Sequence, residues 1–443
     1  VSKVRIKKDI VMLVPPARHT MRSEFCPLGV GIIAARLLAA GHRVRIIDAG
    51  ANRSQDYWRR VQRLQADVFG IGGTVTQLRA MKQTARMVRR SNPTAWVFFG
   101  GPAVLTDHRA TLLKDADALL FGEGEDAVPA MMEESLPPRN GAFGRGWAWL
   151  NTRGVVQFSG MASPVDLAAL PSPAWELYPL DTYLRNTIRS RGHAIMHMMA
   201  SRGCTRKCIF CDRRVTGSIV RRRPVTTVID EMQELSERYH ELALKDFYFF
   251  DPSLMTPSPW LDSLMEQLTS IGRFTWGGEA RVDEADRHLL QRAGEAGCRY
   301  LNFGVEAATD RLLDELCKEI TTDQIREAFQ LCHETGIRPG ALLMIGLPGQ
   351  TNDDIRSMQR LLKEIRPSFI HVSVAGPFPG TALERKYRDQ LLPIPVEEYG
   401  DYFPEKSLFA SLQIDVESAR RQIVDYYREH VSPQGYVNPI EYC

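Results

Sequence analysis

The chain has 443 residues, 44% of them hydrophobic and 25% charged, with a formal net charge of +3. Such a chain can bury a sizeable core, and its length predicts two or more domains. So small a net charge excludes a general electrostatic pull toward nucleic acid or membrane, and no apolar stretch approaches the ~20 residues a membrane span needs.

Residues 10–135 read as alternating strands and helices. A short buried strand at 10–14 ends at Pro15 and Pro16, and the chain before it reads as a lead into that strand, not a secretion signal. Residues 27–41 carry apolar side chains at helical spacing and close on Gly41, a helix with its terminal glycine. Strands follow at 44–48, 68–71, 96–99 and 118–121. This alternation predicts βαβ units and a parallel sheet, which takes ligands at the C-terminal ends of its strands. Gly72, Gly73, Gly100, Gly101 and Gly122 fall at those ends. Residues 136–192 hold Pro137 and Pro138, a hairpin joining Trp147 and Trp149 to 155–158, and a proline-rich run at 170–175. Their composition marks a linker, whose tryptophans are expected to pack between domains.

Cys204, Cys208 and Cys211 then occur as C-x3-C-x2-C, with Phe210 just before the last. Three thiolates can hold three irons of a [4Fe–4S] cluster and leave the fourth iron open to a small ligand. A structural zinc site would want a fourth Cys or His at matching spacing, and no second close cysteine pair exists in the chain. The 8 scattered cysteines describe a reducing compartment, so a cytoplasmic location is expected. Cys298, Cys317 and Cys332 read as small core residues on helical stretches. The run Arg221, Arg222 and Arg223 reads as a solvated loop.

From residue 193 a strand–helix pattern repeats, with strands at 197–200, 247–250, 274–276, 300–303, 341–345 and 369–374. Its first helix spans 225–241, with Thr226 and Thr227 as candidate caps. A partial (β/α)6 barrel is the economical reading, and residues just past its strand ends carry the chemistry. That rule selects Asp251, Glu279, Arg281, Glu306, Gly346 and Pro377. The alternatives are that Asp251 caps a helix and that Glu306 or Arg281 forms a barrel-top salt bridge. His371 is expected to be packed or hydrogen-bonded. A helix at 416–430 and an irregular tail follow, and are expected to shield the barrel mouth.

The cysteine spacing and Phe210 resemble the signature of radical S-adenosylmethionine (SAM) enzymes. The resemblance implies that SAM chelates the open iron and that one electron cleaves it to methionine and a 5′-deoxyadenosyl radical. It implies an α/β chain: an N-terminal Rossmann-like, cobalamin-binding-type parallel sheet at 1–135, a linker at 136–192, a partial (β/α)6 radical SAM barrel at 193–385 and a short α-helical C-terminal segment at 386–443. Phe210, Arg281, Glu306, Met344, Gly346 and Pro377 are then the SAM-binding residues. Arg281 would pair with the SAM carboxylate through a bidentate fork. Glu306 lies in a segment similar to Gly-Val-Glu-Ser, with Ala307 in place of the serine, and Gln350 stands where the family usually has Glu. The first sheet resembles a cobalamin-binding domain at Pro15, Pro16, Pro27, Leu28, Gly29, Gly41, His42, Val44, Gly100, Gly101, Pro102 and the run Gly122 to Glu125. The Asp-x-His-x-x-Gly motif that supplies an axial imidazole is absent, and His19 lacks its Asp and Gly. This reading leans to an empty scaffold, without cobalamin.

The whole sequence is similar to the radical SAM diol dehydratases of aminoglycoside antibiotic biosynthesis, of the apramycin type. That resemblance implies hydrogen abstraction from a sugar carbon, followed by loss of a neighbouring hydroxyl. It also implies a flavodoxin- or ferredoxin-type electron donor and a nicotinamide-dependent reductase partner. Asp251, Glu279 and Asp283 are the catalytic candidates, with Asp212 a further carboxylate beside the cluster for a polycationic substrate. The alternative is a cobalamin-dependent radical SAM C-methyltransferase. A sensor would need an output domain, which the residues after the barrel do not supply.

Overall fold

The computed structural model describes residues 7–17, 23–51, 54–133, 144–252, 254–403, 405–432 and 436–437. The chain divides into two compact units, one of 1–187 with 214–217 and 394–401, the other of 188–213, 218–393 and 402–443. Among the described residues no helix is long and apolar enough to cross a membrane.

The first unit is built on β1 (Asp9–Val14), β2 (Arg43–Asp48), β3 (Val68–Gly72), β4 (Trp96–Gly100), β5 (Ala118–Leu120), β6 (Trp147–Leu150) and β7 (Val156–Phe158), in the order β2-β1-β3-β4-β5-β6-β7. The first five strands are parallel and the last two antiparallel. In such a sheet the strand order reverses beside β1, and the crevice outside the strand ends of β1 and β3 is the place for a ligand. Ile10, Val11 and Leu13 are fully buried, as a central parallel strand with both faces covered requires. Gly41 takes φ +88 after the helix Leu28–Ala39 and lets the chain turn into β2.

The segment read as a linker instead completes this sheet. Trp147 is 1% exposed and packs on Phe98 at 5.6 Å and Trp96 at 5.9 Å, so it belongs to the core of the first unit. A two-strand hairpin cannot bury such a ring alone and does so by adding to the edge at β5. Pro137, Pro138 and His19 lie outside the described residues.

The second unit carries β8 (Ile195–Met198), the small ribbon β9 (Ser201–Arg202) with β10 (Arg221–Arg222), then β11 (Asp246–Phe249), β12 (Thr275–Ala280), β13 (Cys298–Glu306), β14 (Arg338–Ile345), β15 (Phe369–Val374) and β16 (Tyr436–Val437). The main sheet runs β16-β15-β14-β13-β12-β11-β8, parallel throughout. This is the expected partial barrel, widened by the short β16. On alternate positions Phe247, Phe249, Trp276, Leu301, Phe303 and Ile370 are 0% exposed, each burial contributing ~1.5–3 kcal/mol. The intervening residues Tyr300, Asn302, Leu342, His371 and Ser373 stay partly accessible. One face of the sheet therefore packs under helices and the other lines an open lumen.

The C-terminal segment packs at the end of β14. A Cβ on Gly346 would lie 3.2 Å from Val416 and 3.7 Å from Leu412, and the Tyr427 hydroxyl donates to the carbonyl of Pro367 at 2.9 Å. Three local expectations are corrected. Arg221 and Arg222 form β10, and Arg223 is 3% exposed, paired with Glu231 at 2.5 Å. The basic run is thus held by the fold, not solvated. The helix after it, Val225–Arg238, starts at Pro224, ahead of Thr226 and Thr227, so neither threonine caps it. Cys298 and Cys332 are buried, Cys298 opening β13 and not a helix, while Cys317 is exposed in a left-handed turn.

Candidate functional site

The three cysteines follow β9 on one loop, which Gly203 enters at φ +92. Its backbone is clamped from two sides: Ile209 donates to the carbonyl of Leu316 at 3.0 Å and accepts from the amide of Leu383 at 2.8 Å. Arg213 donates to the carbonyl of Cys204 at 3.1 Å. Arg206 ties the loop to the segment after β12 through Asp283 at 3.2 Å and Glu284 at 3.1 Å. Cys204, Cys208 and Cys211 are free thiols. Burial raises the pKa of Cys208, against the nearby positive charges of Lys318 and Arg281. Among the described residues no three Cys, His, Asp or Glu side chains converge as the ligands of a single ion would. A loop of three cysteines with Lys318 and Arg281 near Cys208 fits an anionic iron–sulfur cluster.

Phe210 presents its ring to the ammonium of Lys318 at 5.7 Å. Lys318 is 7% exposed and pairs with Glu306 at 2.8 Å. Both sit on strained backbone: Glu306 has φ +61 at a register shift in β13, and Cys317 and Glu319 flank the lysine at φ +49 and +57. Left-handed non-glycine residues persist where their surroundings over-determine them, and they concentrate at functional sites. Gly304 makes the room, since a Cβ there would lie 2.5 Å from the Lys318 ammonium. Arg281 holds the same turn by donating to the Lys318 carbonyl at 2.8 Å, while Asp283 engages its guanidinium at 2.8 and 3.2 Å. That edge of the Arg281 fork, proposed from sequence for the SAM carboxylate, is committed within the protein. Lys318 escaped the sequence reading because it lies in a turn after Glu306, away from any strand end, and nothing in its spacing marks it.

The predicted carboxylates separate into distinct environments. Asp251 is 0% exposed, and both its oxygens accept from the amide of Ala200, at 3.1 and 3.0 Å. Burial raises it to about 6 against hydrogen bonds from Ser201 and Ala200. It braces the chain entering the cysteine loop and is closed to solvent. Asp283 is shared by Arg281 and Arg206. Glu279, on the lumen side of β12, is raised to about 7 by burial and by the charges of Glu306 and Asp251. Met344 and Ser373 are register partners on β14 and β15. Gly346 takes φ +77 and donates to the side-chain oxygen of Gln350 at 2.7 Å. Gln350 thus performs with its amide oxygen the loop-shaping that a Glu could perform. Its Nε2 is buried and without a hydrogen-bond partner among the described residues, a donor left over for a ligand. Pro377 is buried beyond β15. The cysteines, the Glu306–Lys318 pair and Gln350 fit a cluster with SAM on it.

In the first unit the strand ends are bare backbone. Gly101 has φ +80, and a Cβ on it would meet the Gly73 carbonyl oxygen at 2.7 Å. Gly101 therefore packs its backbone directly on that of Gly73 beside the switch point, an approach that any side chain would block.

A half-barrel bearing a C-x3-C-x2-C loop, preceded in the sequence by a parallel-sheet domain, defines the class: a radical SAM domain following a cofactor-binding-type domain. Residues 198–362 match the radical SAM superfamily and residues 16–132 match the B12 binding domain. The chain thus carries a radical SAM domain and, earlier in the sequence, a B12-binding domain. It is similar to an uncharacterized methyltransferase of Pyrococcus horikoshii, 24% identical over 84% of this chain and 82% of that protein. It is also similar to the cytidylyl-2-hydroxyethylphosphonate methyltransferase of Streptomyces wedmorensis, 25% identical over 92% and 85%. In fold it resembles the radical SAM methyltransferase TsrM from Kitasatospora setae, solved with cobalamin and a [4Fe–4S] cluster bound (TM-score 0.73, 15% identity, 98% of this chain and 93% of that one).

The B12-binding match overturns the expectation of an empty scaffold: residues 16–132 belong to a domain type that takes cobalamin, and the fold resembles a structure solved with cobalamin bound. The missing Asp-x-His-x-x-Gly motif misled, because it reports an axial ligand and not the sheet edge that holds the ring. Diol dehydration and an aminoglycoside substrate find no support among these relatives, which favour the methyltransferase alternative.

Proposed function

We propose that the protein is a cobalamin-dependent radical SAM methyltransferase. The observation that carries this reading is the pairing, in one chain, of a three-cysteine loop in a radical SAM domain with a B12-binding domain. When bound, the cluster with SAM supplies a 5′-deoxyadenosyl radical and cobalamin supplies a transferable methyl group. The protein's own part is to hold and to exclude. Cys204, Cys208 and Cys211 hold the cluster, and Phe210, Lys318 and Glu306 shape the adjoining SAM site. Lys318 presents a fixed positive charge to a carboxylate, and Glu306 accepts hydrogen bonds. The buried outer face of the barrel and the clamped Ile209 keep this constellation rigid, which limits quenching of a radical by stray groups. A flavodoxin- or ferredoxin-type donor would deliver the electron, and the nicotinamide-dependent reductase of a dehydration has no role in this reading.

Anaerobic reconstitution with iron, sulfide and hydroxocobalamin, followed by assay with a low-potential reductant, tests it. Cobalamin should co-elute with the protein on gel filtration, and methyl-labelled SAM should yield both 5′-deoxyadenosine and S-adenosylhomocysteine. Formation of 5′-deoxyadenosine alone by cobalamin-loaded protein would sink the reading.

A further inference from the structure

The lumen has its own chemistry, apart from the groups that hold the cluster and SAM. Its floor is aromatic: His197 stacks on Phe250 at 5.0 Å, and Tyr248 lies parallel to Tyr300 at 5.9 Å. Tyr300 reaches across because Gly277 opposite it has no side chain; a Cβ there would lie 2.2 Å from the tyrosine ring. Above the floor the wall is polar. Asn302 donates to the Tyr248 hydroxyl at 2.9 Å, and Glu279 is the register partner of Asn302 on the neighbouring strand.

The carboxylates around this space are unequally committed. Asp251 is closed off by amides, Asp283 is shared by two arginines, and Glu306 has Lys318. Glu279 makes no hydrogen bond and no ion pair among the described residues, and it remains partly accessible from the lumen. Its charged neighbours are Glu306, Asp251 and Lys318, so the surroundings hold more negative than positive charge. His371, lower on β15, is pushed down to about 4 by burial and by Arg420, so it contributes no cation at neutral pH. An unpartnered carboxyl in such a pocket is drawn toward its protonated form, and a cationic ligand beside it would favour the carboxylate instead.

We propose that the lumen binds a small polar substrate carrying a protonated amine, which Glu279 receives above the aromatic floor. This rests on the reading of the barrel as the site of radical chemistry and adds a substrate class to it. The amine offers charge-assisted hydrogen bonds to Glu279, and the hydroxyl and amide groups of Tyr248 and Asn302 suit further polar groups on the same molecule.

The test uses protein reconstituted anaerobically with cluster, cobalamin and SAM, titrated calorimetrically with three amines and their N-acetyl forms: glucosamine, 1,3-diaminopropane and tyramine. At least one amine should bind about tenfold more tightly than its acetylated form, the scale of a single charge-assisted hydrogen bond. In E279Q that preference should collapse to about one, because the isosteric amide keeps the shape and removes the charge. Three results would overturn the assignment: no pair is discriminated by the wild-type protein, E279Q keeps the preference, or E279Q loses SAM affinity while the preference survives, which would mean that Glu279 faces SAM. The wild-type comparison stands even if E279Q does not fold. Release of 5′-deoxyadenosine and S-adenosylhomocysteine in the same samples reads the methyltransferase proposal separately.

Discussion

Lys318 and Glu306 meet at 2.8 Å, although neither the lysine's neighbours nor the glutamate itself have backbone conformations that L-residues favour. The pair is buried, and Phe210 of the cysteine loop lies against its cation. Two strained turns and one loop are therefore joined at a single contact.

Lys318→Met should destabilise the protein by ~3–5 kcal/mol, because it strands the Glu306 carboxylate in a desolvated site. Adding Glu306→Gln should recover part of that loss. A urea-unfolding double-mutant cycle measures the coupling, and additive single effects would refute it. Iron–sulfur absorption of K318M after reconstitution would show whether the lysine also supports the loop.

Glu279 predicts a pH dependence of stability. Its folded pKa, about 7, lies above the ordinary glutamate value, so the folded protein binds the proton more tightly than the unfolded chain. The resulting stabilisation is complete below the unfolded pKa and is lost as pH rises toward 7. Over that window the loss is up to ~3 kcal/mol. Unfolding free energies from pH 4.5 to 8 should fall in the wild type and fall less steeply in Glu279→Gln; parallel curves would contradict this.

Gly101→Ala tests the close approach of Gly101 to Gly73 at the strand ends of the first unit. The new Cβ would sit 2.7 Å from the Gly73 carbonyl oxygen on a backbone at φ +80, at a cost of ~1–3 kcal/mol. We expect a lower thermal midpoint and loss of cobalamin on gel filtration, with iron content kept by the second unit. Retention of stoichiometric cobalamin by a folded G101A would show that this edge does not hold the cofactor.

Arg223 illustrates a charge that composition cannot interpret. It pairs with Glu231, donates to the carbonyl of Met199 at 3.0 Å, and accepts the indole N–H of Trp260 on its own carbonyl at 2.6 Å. Arg223→Ala should cost ~3–5 kcal/mol by leaving Glu231 buried alone. A chemical-denaturation midpoint indistinguishable from wild type would assign the residue to the surface after all.

The sequence by itself determined the elements and their order. Runs such as Ile10 to Val14 and Phe369 to Val374 are strands because apolar side chains at their spacing must be buried in a parallel sheet, and β15 ends where the pattern does. It also located the cysteine loop and the strand-end residues Glu279 and Glu306, since both are written locally. What only the tertiary structure decided is which charges are committed. Asp251, Asp283 and Glu279 look alike as acids after strands, yet one is closed by amides, one is bridged by arginines and one is left open. Lys318 becomes a site residue only because a turn after β13 folds back over Gly304, and Trp147 becomes core only because its hairpin joins β5. Pairing and desolvation are set by neighbours distant in the chain, and a carboxylate's chemistry follows from them more than from its own place in the sequence.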